Sequence, residues 1–296
     1  MKAAFLLAAL ALAGCSTPAS PSAVPADASF ALRSPTDLLG SPPMAKLQVS
    51  LFDAPVHNIA DLKFNLGILG VQLIAANGTA VPYDTETKPR MVDLLDLQTH
   101  SLDFNGSAPA GGYSGVRLLI DTASSNVTVK KFTIPIVWGT KAQPIGGSVV
   151  AIDFPCNFVL SGVKNALGDV ALDFNVLHSV RYTGNKIYVE PTVVAANAPA
   201  QISGAVHNAA GKPVTSAVVL AVDPLGRVVN STVTGNDGRY NLHALSAGVY
   251  TIQVKNSYVT AQGDTVTAVG ADAGAAPSTP AVVSPNDKLE LPVLVD

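Results

Sequence analysis

The chain has 296 residues and a formal net charge of −3; 48% of its residues are hydrophobic and only 13% are charged. That length suits two domains with cores of their own, and the low charged share excludes a largely disordered chain. It carries no basic stripe, so nucleic acid is not an expected partner, and no apolar run reaches the roughly eighteen residues of a membrane-spanning helix.

The first element is a leader. Met1-Lys2 supplies one positive charge, and Ala3–Ala13 is an apolar stretch too short to cross a bilayer but suited to a signal-peptide core. It closes on Leu12-Ala13-Gly14-Cys15, which resembles the lipobox of bacterial lipoproteins. The resemblance implies that the Cys15 thiol takes a diacylglycerol, that the bond before it is cut, and that the new amine is acylated. Lipid transfer needs a thiolate as nucleophile, and several acyl chains on one residue anchor stably where one would not. Ser16, rather than Asp, at the next position implies the outer membrane of a two-membrane cell. The expected organisation is a signal peptide over 1–14, lipidation at Cys15 and a Ser/Pro/Ala tether over 15–43. The expected address is the bacterial envelope, with the membrane as a partner through the lipid.

Alternating apolar residues then begin. Leu47, Val49 and Leu51 mark a half-buried strand ending at Asp53-Ala54-Pro55. Leu62, Phe64, Leu66 and Ile68 mark a second, and a phase shift to Leu69, Val71 and Leu73 predicts a bulge near Gly67 or Gly70. "VDLLDLQ" (92–98) predicts one short helical turn. Strands follow at Val116–Ile120, Val127–Val129 and Phe132–Ile136. Ile152, Phe154, Cys156, Phe158 and Leu160 share one strand face, which makes Cys156 a small buried hydrophobe rather than a reactive thiol. Val170, Leu172, Phe174 and Val176 face one way, with Asp173 and Asn175 facing the other; 181–191 reads as a hairpin turning at Gly184-Asn185. The spacing predicts an immunoglobulin-like β-sandwich over 44–196. The blocks "LQVSLFDAPV" (47–56), "RMVDLLDLQ" (90–98), "GGYSGVRLLID" (111–121), "VALDFNVLHSV" (170–180) and "GNKIYVEPTVV" (184–194) resemble the domain-of-unknown-function family DUF4382. That family occurs in bacterial lipoproteins and has no assigned activity, so no catalytic residue is implied.

After the short joint "ANAPAQ", a second domain is expected over 199–296. Ile202, Gly204 and Val206 open it, Gly211-Lys212-Pro213 turns, and 217–222 is an apolar strand. Asp237-Gly238 supplies a turn needing positive φ. Tyr240 and Leu242, then Tyr250, Ile252 and Val254, make two strands across Gly248, and Leu289, Leu291, Val293 and Val295 make a closing strand. The I-x-G-x-V opening, the DG-x-Y step and the G-x-Y-x-I step resemble the carboxypeptidase regulatory-like domain, which implies a small transthyretin-like sandwich in a carbohydrate-binding-like fold group. Residues 263–287 read as an expanded loop before the last strand. The predicted fold class is therefore all-β, two β-sandwiches in series.

Chemistry-bearing motifs are sparse. His57, His100, His178, His207 and His243 are scattered without metal-ligand spacing, so neither a zinc or copper site nor any cofactor is expected. "GGYSG" (111–115) lacks the spacing of a nucleophile elbow and reads as a turn entering a strand. Asp53, Asp121 and Asp173, near strand ends, are either a converging calcium set or, more simply, Asx-turn residues. The Asn-x-Ser/Thr motifs at Asn77, Asn105, Asn126 and Asn230 read as turn chemistry. Trp138, the single tryptophan, is either a sugar-stacking platform or a strand-end cap on the core. The leading expectation is a non-enzymatic binding or structural protein of the envelope, whose partner is an envelope protein or a polysaccharide. A carbohydrate-binding lipoprotein is the alternative, and an envelope hydrolase with a dispersed site is the third.

Overall fold

The structure, a computed structural model, describes residues 42–53, 62–98, 100–163, 166–183, 186–255, 257–259, 265–267 and 278–295. Cys15, its leader, the tether before residue 42, His57 and the turn at Gly184-Asn185 lie outside them.

The first sandwich is built from β1 (Met44–Asp53), β2 (Leu62–Ala75), β3 (Ala80–Asp93), β4 (Leu102–Pro109), β5 (Gly111–Val129), β6 (Phe132–Trp138), β7 (Ala142–Gly146), β8 (Val149–Leu160), β9 (Leu167–Phe174), β10 (Val180–Thr183), β11 (Lys186–Val189) and β12 (Val193–Asn197). One sheet runs β12-β9-β1-β4; the other runs β10-β11-β6-β5-β2-β3, with β8 also on β5 and β7 on β8. Period-two alternation drives the layering. Leu47, Val49 and Leu51 of β1 meet Phe64, Leu66 and Ile68 of β2, Leu118 and Ile120 of β5 and Leu172 and Phe174 of β9 in one core. The expected bulges are present: the β2 register shifts between Asn65 and Gly67 and between Ile68 and Gly70. A Cβ at Gly70 would lie 2.2 Å from the Asp84 carbonyl oxygen, and φ there is +152°, so glycine is required. The turn expected at 92–98 is a 3-10 turn over Leu94–Gln98 that buries Leu94 and Leu97.

Some elements differ from expectation. The two strands read around Ile120 and Val129 are one continuous β5, bent by a bulge rather than broken by a loop. β3 has a mostly polar, exposed pattern that gave no strand signal; it forms because β2 offers it a ladder, and Tyr83 anchors it by donating to the carbonyls of Leu47 and Phe104. Val176 does not extend β9 but opens a one-turn helix, α1 (Val176–Ser179), capped by the Asn175 side chain.

The second sandwich contains β13 (Ala200–Asn208), β14 (Val218–Val222), β15 (Val228–Val233), β16 (Arg239–Leu245), β17 (Gly248–Lys255), the small pair β18 (Ser257–Val259) and β19 (Thr265–Thr267), β20 (Ser278–Val283), β21 (Lys288–Glu290) and β22 (Val293–Val295). Its sheets are β16-β13-β21, with β22 also on β13, and β15-β14-β17-β20. Ile202, Val206, Leu242, Ile252 and Val254 lie at the centre of its core. The closing strand runs parallel to β13 in two pieces, because Pro292 interrupts the ladder. A strand, β20, occupies part of the 263–287 stretch that was expected to be loop; its Ala281 and Val283 are buried.

One device recurs in both sandwiches. Tyr113 donates to the Pro109 carbonyl at 2.6 Å, and Tyr250 donates to the Ser246 carbonyl at 2.6 Å. Each tyrosine sits at the entry of a long strand in an Ala-Gly-x-Tyr context, "PAGGY" and "SAGVY". The glycine lets the chain turn, and the ring then reaches back four residues to fasten the turn, as a tyrosine corner does.

Candidate functional site

The most unusual surface is where the two sandwiches meet. β12 passes into β13 with only Ala198 and Pro199 between them, so the second sandwich begins against the outer face of the β12-β9-β1-β4 sheet. Ala198 adopts φ +47° and donates to the Asp169 carbonyl at 2.9 Å, which fixes the exit direction. The joint read from sequence as an Ala/Pro link is thus tied down at its first residue.

A bulge aims the partner strand. The β13–β16 register shifts between Ala200 and Ile202, and Ala244 within the bulge has φ +51°. A left-handed alanine is strained by roughly 1–2 kcal/mol. The distortion turns consecutive side chains toward the first sandwich. The His243 ring stacks on Phe52 of β1, with centroids 4.1 Å apart and planes 14° apart. Ala244 packs with Ala171 and Ala196, beside Phe52 and Val194.

Around this apolar contact runs a buried polar network. The Asn230 side chain donates to Asp173 Oδ2 at 2.8 Å and to the His243 carbonyl at 2.7 Å, and its Oδ1 accepts from the Ser231 N–H at 2.7 Å. Asn175 Nδ2 donates to the Ser231 carbonyl at 3.2 Å, and His178 Nε2 lies 3.1 Å from Ser231 Oγ. Asp173, Asn175, Asn230 and Ser231 are all buried. Burial carries a cost that these bonds must offset. At His243 it pulls the imidazole pKa down to about 4; nearby Lys288 adds to that, and the Gln98 backbone opposes it. The ring is therefore neutral in the docked state.

The residues singled out from sequence fall as follows. Asp53 accepts from the Val176 N–H at 3.1 Å on the core side of β1, whereas Asp173 points outward into the junction. Asp121, on the other sheet, accepts from the Ser124 N–H and from Ser148 Oγ at 2.7 Å, and the hydroxyls of Ser124 and Ser148 hold its carboxyl below the usual range. The three aspartates do not converge, and among the described residues no three His, Cys, Asp or Glu side chains group as a metal set. Trp138 ends β6 half-buried against the first core, its Nε1 enclosed without a hydrogen-bond partner. Tyr182 and Tyr188 are both exposed but lie on opposite faces, since Tyr182 pairs with Ile187. Cys156 is half-buried beside the same core, and burial pushes its thiol pKa up. Asn77 does close an Asx turn, accepting from the Thr79 N–H at 3.0 Å. Asn105, Asn126 and Asn230 instead sit within strands, where Asn126 accepts from Asn65 at 3.0 Å.

Two open grooves flank the junction. One of about 320 Å³ lies between Val194 and Ala195 of β12 and Asp223, Arg227, Leu245 and Tyr250 of the second sandwich. Its lip carries the Asp223–Arg227 ion pair at 2.6 Å. The other, about 410 Å³, is lined by Gln98, Gln201, Asn241, Arg239 and Glu290 among others, with Tyr240 beside them.

Comparisons with known proteins follow this division. Residues 44–190 match the family model of a domain of unknown function (DUF4382). Residues 201–279 match the model of the carboxypeptidase regulatory-like domain. No curated protein matches the chain. Among solved structures, the major pilin subunit BcpA of Bacillus cereus aligns at 13% identity over 85% of this chain and 99% of that one, with a TM-score of 0.28. The Bacillus anthracis TIE protein aligns at 11% identity over 85% of this chain, which spans only 34% of that protein, with a TM-score of 0.23. The shaft pilin SpaA of Lactobacillus rhamnosus GG aligns at 9% identity over 86% and 98%, with a TM-score of 0.23. Likeness this slight carries no argument about function. What the family matches and the architecture show together is a DUF4382 domain followed by a carboxypeptidase regulatory-like domain, both β-sandwiches.

Proposed function

We propose that this protein is a lipid-anchored component of the bacterial envelope that works without catalysis, holding out a stiff body of two sandwiches as a binding or structural surface. The observation that carries this reading is the junction. A two-residue joint, a stacked His243–Phe52 pair and a buried Asp173–Asn230 network fasten the domains as a spacer requires. Catalysis would call for shifted titratable groups converging on a cleft. Here the shifts have local structural causes. Burial of the phenol raises Tyr83 to about 12 and raises Tyr240 as well, Asp223 is lowered by bonds from Arg227 in its own turn, and His243 is lowered by the domain contact.

Nuclear magnetic relaxation of the Cys15→Ala chain tests the spacer. The reading expects one rotational correlation time shared by the amides of β1–β12 and of β13–β17. Two distinct times would refute it.

Carbohydrate binding is a second reading, supported by the groove at Gln98, whose amides, Arg239 and Glu290 offer both donors and acceptors to hydroxyl groups. A glycan array tests it: a hit abolished by Arg239→Ala would support the reading, and a blank array would remove it.

A further inference from the structure

The end of the first sandwich at which the chain arrives from its N-terminal side has an apolar rim. Met44, Val159, Val163 and Leu167 are 61%, 76%, 69% and 61% exposed. Strand register places them at one end: Met44 pairs with Pro109, Lys46 with Leu167 and Gly112 with Val159. The Pro43 carbonyl accepts from Ala110 N–H at 2.7 Å, and a Cβ on Gly162 would lie 2.6 Å from Pro43 Cγ. The turn at 76–79 joins the same end through a 3.0 Å bond from Ala76 N–H to the Gly112 carbonyl.

Charge is sparse there. By sequence the segments 42–46, 76–79, 109–112 and 159–167 hold two lysines, Lys46 and Lys164, and no carboxylate. Phe52, near the opposite end of β1, stacks on His243 of the second sandwich, while the joint residue Ala198 bonds to Asp169, two residues along β9 from Leu167. β1, ten residues at about 3.3 Å each, is roughly 30 Å long.

We propose that this rim rests on the lipid surface, with Met44, Val159, Val163 and Leu167 entering the boundary between headgroups and acyl chains while the second sandwich is held outward. The inference rests on the Cys15 anchor proposed above and goes beyond it, because an anchor alone leaves the body free to tumble. The choice of a bilayer over a second copy follows from where the chain enters. The described chain starts at this rim with Pro42 and Pro43, and a random coil of 28 residues, the number in 16–43, would average about 30 Å end to end. Anchoring therefore presents this end, and no other, to the membrane at high effective concentration. Exposed apolar side chains in segments that carry lysine and no carboxylate suit an interfacial position over anionic headgroups.

The test uses the full chain, purified with its lipid and reconstituted into phosphatidylcholine/phosphatidylglycerol vesicles containing brominated phosphatidylcholine. In a Trp138→Phe background, Val163→Trp places a single fluorophore on the rim. Leu294→Trp places one at the far end of β13, opposite His207, at a site 62% exposed. Brominated lipid should quench Val163→Trp, relative to the same vesicles without bromine, and leave Leu294→Trp unchanged. Met44→Trp serves as a second rim probe should Val163→Trp fail to fold. Co-sedimentation with vesicles but equal emission from rim and distal probes would overturn the docking inference alone. Failure of the parent chain to co-sediment would overturn the anchor and the docking together. Self-association that protects the rim probes from bromine would assign the face to a second copy and also overturn the proposal.

Discussion

Acidification should loosen the domain junction through one side chain. His243 is buried against Phe52, and burial lowers its pKa from 6.5 to about 4. A folded pKa below the unfolded one means that the unfolded state takes up the proton first as pH falls. Stability from this group is intact above pH 6.5 and is lost as pH drops toward 4. At roughly 1.4 kcal/mol per pH unit the full loss is about 3 kcal/mol, most of it expended by pH 4.5. His243→Phe keeps a ring on Phe52 and removes the titration. Urea unfolding of the Cys15→Ala chain, followed by circular dichroism at pH 7 and pH 4.5, measures the difference. The parent should lose roughly 2–3 kcal/mol more than the His243→Phe variant over that interval. Carboxylates such as Asp121 and Asp223 titrate in both proteins, so their contribution cancels in the comparison. Equal losses in the two proteins would show that the imidazole is not held neutral by the junction.

Three further outcomes follow from the same geometry. Tyr113→Phe and Tyr250→Phe each remove one back-reaching hydrogen bond; each should cost about 1 kcal/mol in thermal or urea unfolding, and the double variant should show the sum because the sites share no partner. Gly204→Ala should destabilise the second sandwich by roughly 1–3 kcal/mol, because its Cβ would come within 2.1 Å of the Leu291 carbonyl oxygen; an unchanged melting temperature would mean that β13 and the Leu291 segment are not in contact. Cys156 should react slowly with a thiol reagent at pH 8 in the native protein and rapidly in urea, since burial raises its pKa and its strand packs on the core; fast native labelling would place it outside the sheet.

What could be read from sequence was whatever depends on local period and turn chemistry. Leu47–Leu51, the bulge in β2, the 3-10 turn, the turn into β5 at 111–115 and the break between β16 and β17 at Gly248 are all specified by neighbours close in the chain. Polar β3 escaped notice because a ladder partner, not its own pattern, makes it a strand. The junction was the larger miss. Asp173 and Asn175 alternate with apolar residues as solvent-facing positions do, and Asn230 sits in a motif that suggests a surface turn. All three are buried by the other domain, and nothing within their own strands reports its arrival. The one available signal was crowding: β9 is apolar on the inner face and carries Ala171 on the outer, as β12 does with Ala196, and small residues on a supposedly wet face permit close approach. β20 was hidden in the same way, by a stretch of Ala, Gly, Ser and Pro around a short buried pair.

The central question is whether the body is held at a membrane through Cys15. The direct measurement is fractionation of cells expressing the parent chain and Cys15→Ala, followed by intact mass of the extracted protein. The parent should lie in the membrane fraction, begin at Cys15 and carry the mass of attached acyl chains, while Cys15→Ala should leave that fraction still folded. A parent chain with an unmodified Cys15, or a Cys15→Ala variant that partitions as the parent does, would contradict it.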